Sequence, residues 1–132
     1  MPLVSITRLR LRSIRFLPLF VWDAFRSLRQ VRASDGCLAA NTRAHRGPVF
    51  WTRTLWRDAA AMNAYRSSGA HRATMPKLQH WCDEASVVHW EQDAAVLPDW
   101  IEAEARLRAS GRLSRVRHPS PAHARDETLP TA

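Results

Sequence analysis

Four glycines, two cysteines, one tyrosine and one lysine are spread over 132 residues. The longest apolar stretch is the short run Phe16–Trp22 (FLPLFVW). Each scarcity removes a class of function. Cys37 and Cys82 form no CxxC pair, so neither a disulfide scaffold nor a zinc ribbon is indicated, and reduced thiols fit a cytoplasmic protein. With glycine so rare there is no Gly-rich phosphate loop, and no GxSxG nucleophile elbow is found either. The histidines follow no HxxxH or HExxH spacing, and no paired carboxylates stand out where strands are expected. The longest apolar run is far short of the ~20 residues a membrane-spanning helix needs, so no transmembrane segment is expected.

What is abundant is arginine. It supplies 19 of the 20 basic residues, for a net charge of +8. Residues 1–46 carry nine arginines against Asp23 and Asp35, a balance of +7. Residues 47–104 come to −3 and residues 105–132 to +4. The excess thus sits at the two ends, away from the clearest strand and helix signals. Nucleic-acid recognition needs a coherent basic face beside a recognition element, so the distribution argues against it. A basic surface meeting nucleic acid or a membrane through those ends stays as an alternative. The arginine-rich start could be a targeting leader, but its alternation reads as a strand.

Leu3–Leu11 alternates, with Leu3, Ser5, Thr7, Leu9 and Leu11 on one side and Val4, Ile6, Arg8 and Arg10 on the other. Ser13 and Pro18 open a helix to about residue 32, with Leu17, Phe20, Val21, Ala24, Phe25, Leu28 and Val31 at helical spacing. Ser34-Asp35-Gly36 turns the chain into a weak strand at 37–44, and Arg46-Gly47-Pro48 leads to a strong one at 49–56. Asp58 caps a helix that stops near Ser68-Gly69. An irregular helical segment at 70–81, interrupted at Pro76, precedes a strand over 83–91. Pro98 opens a last helix to about Ser110, with Glu102 and Glu104 early and Arg106 and Arg108 late, which suits the helix dipole. Residues 111–132 are Arg-, Pro- and Ser-rich and read as a disordered basic tail.

The order β-α-β-β-α-β plus a C-terminal helix predicts an α+β, ferredoxin-like domain over residues 1–110. With both helices on one face, the other would expose some of Trp51, Leu55, Val87 and Trp90 or their alternates. An apolar face of several hundred Å² seldom stays in water. The expectation is a homodimer, two sheets pressed together around a cavity, that is, a dimeric α/β barrel.

The blocks VSITRLRLRSIRFLPLF and FWTRTLWRDAAAMNAYRSSGAHRATM resemble DUF3291-type proteins of the dimeric α/β-barrel superfamily, which includes antibiotic-biosynthesis and haem-degrading monooxygenases. They are also similar to the C-terminal part of spheroidene monooxygenases, which use haem. The resemblance covers roughly residues 3–90. It implies an apolar or aromatic small-molecule ligand and a monooxygenase activity, either without a cofactor or with haem. The haem-degrading relatives use an Asn, a Trp and a His at positions that correspond to Thr7, Tyr65 and Met75 here. His71 lies four residues before the last of these. A non-catalytic binding or interaction protein of the same fold is the rival reading.

Candidate site residues follow. His71, beyond a Gly-ended helix, could ligate haem iron or shuttle a proton. Trp51 and Trp56 have opposite strand parity, so one faces the helices and the other the dimer cavity, where it could stack on a flat ligand. Arg53 shares parity with Trp51 and could stabilise an anionic intermediate. Tyr65 offers a ring and one hydroxyl on the second helix. His80, Trp81, His89 and Trp90 read as packing or surface residues.

Overall fold

The computed structural model describes residues 1–130. β1 (Leu3–Leu11) leads through a 3-10 turn at Ile14–Phe16 into α1 (Leu17–Ala33). The Ser13 hydroxyl accepts from the Arg15 N–H, and Pro18 sits in the first turn of α1, where its missing N–H costs nothing. β2 (Cys37–His45) and β3 (Val49–Trp56) form a hairpin. α2 (Ala59–Arg66) starts on Asp58, whose carboxylate accepts from the Ala61 N–H at 2.9 Å. α3 (Gly69–Trp81), β4 (Cys82–Glu91), α4 (Trp100–Ser110), the two-residue β5 (Arg112–Leu113) and α5 (Pro121–Ala124) complete the chain.

The strands form one antiparallel sheet in the order β2-β3-β1-β4-β5. Without β5 this is the ferredoxin-like arrangement, with β1 and β3 at its centre. Strand alternation then sorts the side chains. Leu3, Leu11 and Trp56 pack with Phe20 and Val31 of α1, Met62 of α2 and Trp81 of α3. Val4, Ile6, Trp51, Leu55 and Val88 point to the opposite face.

Three features depart from the sequence-based expectations. First, the second face is not bare. α4 lies across it, burying Ala103 and Leu107 against Val4, Ile6, Trp51 and Leu55, with Leu97, Trp100 and Leu129 at the margin. Val4, Ile6 and Leu107 have no exposed surface at all. The ground for pressing two sheets together, an uncovered apolar face, is therefore absent. α4 covers that face within one chain.

Second, α3 runs through Pro76. A helical proline leaves the carbonyl four residues earlier, here that of Arg72, without its donor. Arg72 and Pro76 are both exposed, so water can take the missing donor's place.

Third, residues 111–130 are not a disordered tail. The segment has little apolar content, but its polar anchors reach buried partners on β4. Ser120 donates to Glu84 at 2.7 Å, and Ser86 donates to the Thr128 carbonyl at 2.7 Å. Val116 and Leu129 add apolar contacts. Residues 131–132 of the expected tail lie outside the described residues.

Several N-terminal arginines are tied into the fold. Arg8 pairs with Glu84 at 2.9 Å, Arg10 with Asp83 at 2.8 Å, and Arg12 donates to the His80 carbonyl at 2.7 Å. Among the described residues, no helix is long and apolar enough to cross a membrane.

Candidate functional site

A cavity of about 260 Å³ lies between the sheet and the helices of its first face. Its floor follows from register. Thr42, Thr52, Thr7 and Val87 stand side by side across four strands, and Ala40, Thr54, Ser5 and His89 form the next row. Phe50, Leu9 and Ala85 flank the band on one side, and Trp56 and Leu3 on the other. The middle of an otherwise apolar face is therefore a band of hydroxyls. Among the described residues, Thr54 accepts from the Trp56 indole at 2.9 Å, whereas Ser5, Thr7 and Thr52 give their hydroxyls to no protein partner. They face the cavity instead.

The roof is apolar, built from Phe20, Ala24, Leu28, Val31, Met62 and Leu78. One wall is an aromatic row. Trp56 and Tyr65 have ring centroids 5.3 Å apart, and Tyr65 and His71 follow at 4.7 Å. The Tyr65 hydroxyl donates to the Ser27 carbonyl at 3.3 Å, which ties α2 to α1.

The break between α2 and α3 positions His71. Gly69 has φ 59°, the left-handed region open to glycine at no steric cost. A Cβ there would also press on the Gln30 carboxamide at 3.0 Å. That carboxamide donates to the Ser68 carbonyl and accepts from the His71 N–H, each at 2.8 Å. Nδ1 of His71 lies 3.3 Å from the Arg66 carbonyl. A carbonyl only accepts, so Nδ1 carries the proton there and Nε2 keeps its lone pair.

Burial pushes the His71 pKa down, the Arg66 carbonyl opposes that shift, and the Arg66 charge adds to it. The ring is therefore neutral at pH 7. Burial also lowers the pKa of His89, with help from the Arg66 and Arg112 charges. Tyr65 is pushed well above its ordinary value by burial, so its phenol keeps its proton. Among the described residues, no three His, Cys, Asp or Glu side chains gather as a metal site, and both cysteines are free.

Of the residues picked out from sequence, the structure brings His71 and Tyr65 together at the cavity. It places Trp51 and Arg53 on the other side of the sheet. Trp51 is 1% exposed, with the Arg43 guanidinium 5.3 Å from its ring centroid and Trp100 edge-on at 6.4 Å. Arg53 donates to the Pro98 carbonyl at 2.6 Å and lies over the Trp100 ring at 4.4 Å. Both belong to the seam that holds α4. The indole at the cavity is that of Trp56.

Sequence reasoning did not pick out the hydroxyl band, His89, Arg66 or Arg115. Strand alternation alone would have put Ser5 and Thr7 on one face. It could not say that this face borders a void.

Residues 18–115, well over half of the chain, match the family model described as "Domain of unknown function (DUF3291)". No curated protein matches the chain. Among solved structures, a conserved protein from Methanosarcina mazei Go1 superposes with a TM-score of 0.64 at 10% identity, covering 70% of this chain and 94% of that one. An antibiotic biosynthesis monooxygenase gives 0.63 at 15% identity over 70% and 99%. A mutant of SnoaB from Streptomyces nogalater, described as a cofactor-independent oxygenase, gives 0.59 at 11% over 74% and 98%. At these identities the likeness is one of fold.

Proposed function

We propose that this chain, which belongs to the DUF3291 family, binds a small apolar or aromatic molecule in the cavity between its sheet and its helices. One observation carries the reading. The space has an apolar roof, an aromatic wall and a few convergent polar groups, the usual make-up of a small-molecule site. An apolar cavity of about 150 Å³ already takes up benzene, so about 260 Å³ suits one or two fused rings.

Haem, which the family resemblance implies, does not fit. The volume falls below the roughly 300–1,000 Å³ of pockets that enclose drug-sized ligands, and haem is larger than most of those. The Tyr65 ring also stands against one side of the His71 imidazole.

The chemistry that suits these residues is oxygenation driven by the ligand's own acidity. Nε2 of neutral His71 takes a proton from an activated CH2, and the hydroxyl band donates to the enolate oxygen that results. The carbanion supplies electrons to O2, and the net change is R–CH2–R′ + O2 → R–CO–R′ + H2O. The ligand is the reductant. The fold likeness to a cofactor-independent oxygenase supports this reading.

Calorimetric titration with 2-naphthylmethanol tests the binding step, with one site per chain expected. Oxygen uptake with 2-tetralone, lost in His71→Ala, tests the chemistry. Binding without oxygen uptake would support the second reading, a non-catalytic binding protein. Absence of binding would refute both.

A further inference from the structure

We infer that the molecule held in this cavity is an anionic amphiphile, an apolar ring body carrying a carboxylate or comparable acid that meets Arg66 and Arg115 where the cavity opens to solvent. This deepens the reading above and rests on it.

The lining is one-sided in charge. It includes Arg66, Arg115, His71 and His89, and neither Asp nor Glu appears in it. Arg66 ends α2, and Arg115 follows β5 on the far side of β4, so two separate parts of the chain bring cations to the lining. Both side chains are exposed, as is Met75, whereas Trp56 and Met62 deeper in the cavity are buried. The charge therefore stands at the rim and the apolar surface below it.

Seven of the 19 arginines have a carboxylate within 4.0 Å. Arg8, Arg10, Arg43 and Arg57 each have a carboxylate within reach. Among the described residues, Arg66 and Arg115 have none. Arg112, three residues before Arg115, also lacks one among the described residues and lies close enough to His89 to disfavour its protonated form. An anion is favoured by the positive charge of Arg66 and Arg115 and keeps its own charge in water-accessible surroundings. A cation would be repelled by that charge. The free hydroxyls of Ser5, Thr7 and Thr52 lie along the floor, so an oxygen substituent on the ring body would find donors there.

The test compares isosteres on the full chain by calorimetry at low ionic strength: 2-naphthoate, 2-naphthylmethanol and 2-naphthylmethylammonium. The expected order is carboxylate tightest, by tenfold or more over the alcohol, and ammonium weakest. The preference should shrink as salt is added. Arg66→Gln with Arg115→Gln should bring the carboxylate to the level of the alcohol. Arg29→Gln, an exposed position outside the lining, controls for net charge and should leave the preference intact. Both rim positions are exposed, so unchanged circular dichroism is expected for the double variant. If the alcohol binds but the carboxylate binds no better, or if the double variant keeps the preference, the anionic head is refuted and the cavity reading stands. If none of the three binds, both fall together.

Discussion

Tyr65 and His71 meet across the break between α2 and α3 with their ring centroids 4.7 Å apart. Neither could hold that place alone. Tyr65 is fixed through its hydroxyl to Ser27, and the His71 backbone through Gln30. Burial holds the imidazole neutral and the phenol protonated, which puts a proton acceptor and no fixed charge on the aromatic wall.

This makes stability dependent on pH. The folded-state pKa of His71 lies below the 6.5 of an unperturbed imidazole. Below pH 6.5 the unfolded chain therefore binds more protons than the folded one. Stability is fully present above pH 6.5 and declines as pH falls toward and through the folded pKa, and His89 acts in the same direction. Melting temperatures measured between pH 8 and pH 5 should fall over that range, and His71→Gln should fall less steeply than wild type.

Arg53 and Thr7 should separate stability from binding. Arg53→Ala frees the Pro98 carbonyl and uncovers Trp100, a loss of about 1–3 kcal/mol by analogy with other hydrogen bonds to charged groups. It should lower the melting temperature and leave the affinity for 2-naphthylmethanol unchanged. Thr7→Val, which removes a free hydroxyl from the floor, should leave naphthalene binding intact and weaken binding of the alcohol.

Glu84 ties three elements together. Burial alone would raise its pKa, but hydrogen bonds from Ser120 and Arg8 outweigh that and bring it below the ordinary glutamate value. Its share of stability is thus present at neutral pH and lost as acid protonates it. Glu84→Ala leaves Arg8 buried without its partner, a change worth about 3–5 kcal/mol, and releases Ser120 at the start of α5. Urea denaturation should show the loss, and proteolysis should begin near residues 114–125.

Leu107 is the closure of the second sheet face. Leu107→Ala should cost about 2–5 kcal/mol. Leu107→Arg should lift α4 and expose Val4, Ile6, Trp51 and Leu55. Sedimentation should then show more self-association than wild type at the same concentration, as expected of a bare apolar sheet.

The element order was legible because each segment keeps one period. Leu3–Leu11 alternates, α1 repeats at helical spacing, and Asp58 and Ser13 mark starts. The position of the cavity was not legible. Parity separated Trp51 from Trp56, but only the packing of α4 decides which of them borders a void. Arg115 was hidden for a different reason. It lies in a polar segment whose order depends on distant partners, Glu84 and Ser86, rather than on its own composition. Pro76 misled because α3 runs on through it, with Arg72 and Pro76 both on exposed positions where water can meet the freed carbonyl.

The most direct test fills the cavity. Ala24 looks down from α1, and Ala24→Trp would occupy the space without touching the seam at α4. Titration with the neutral fluorophore N-phenyl-1-naphthylamine should show one saturable site per wild-type chain and none in the variant, whose melting temperature should not fall. Equal binding by both proteins, or none by wild type, would contradict the account.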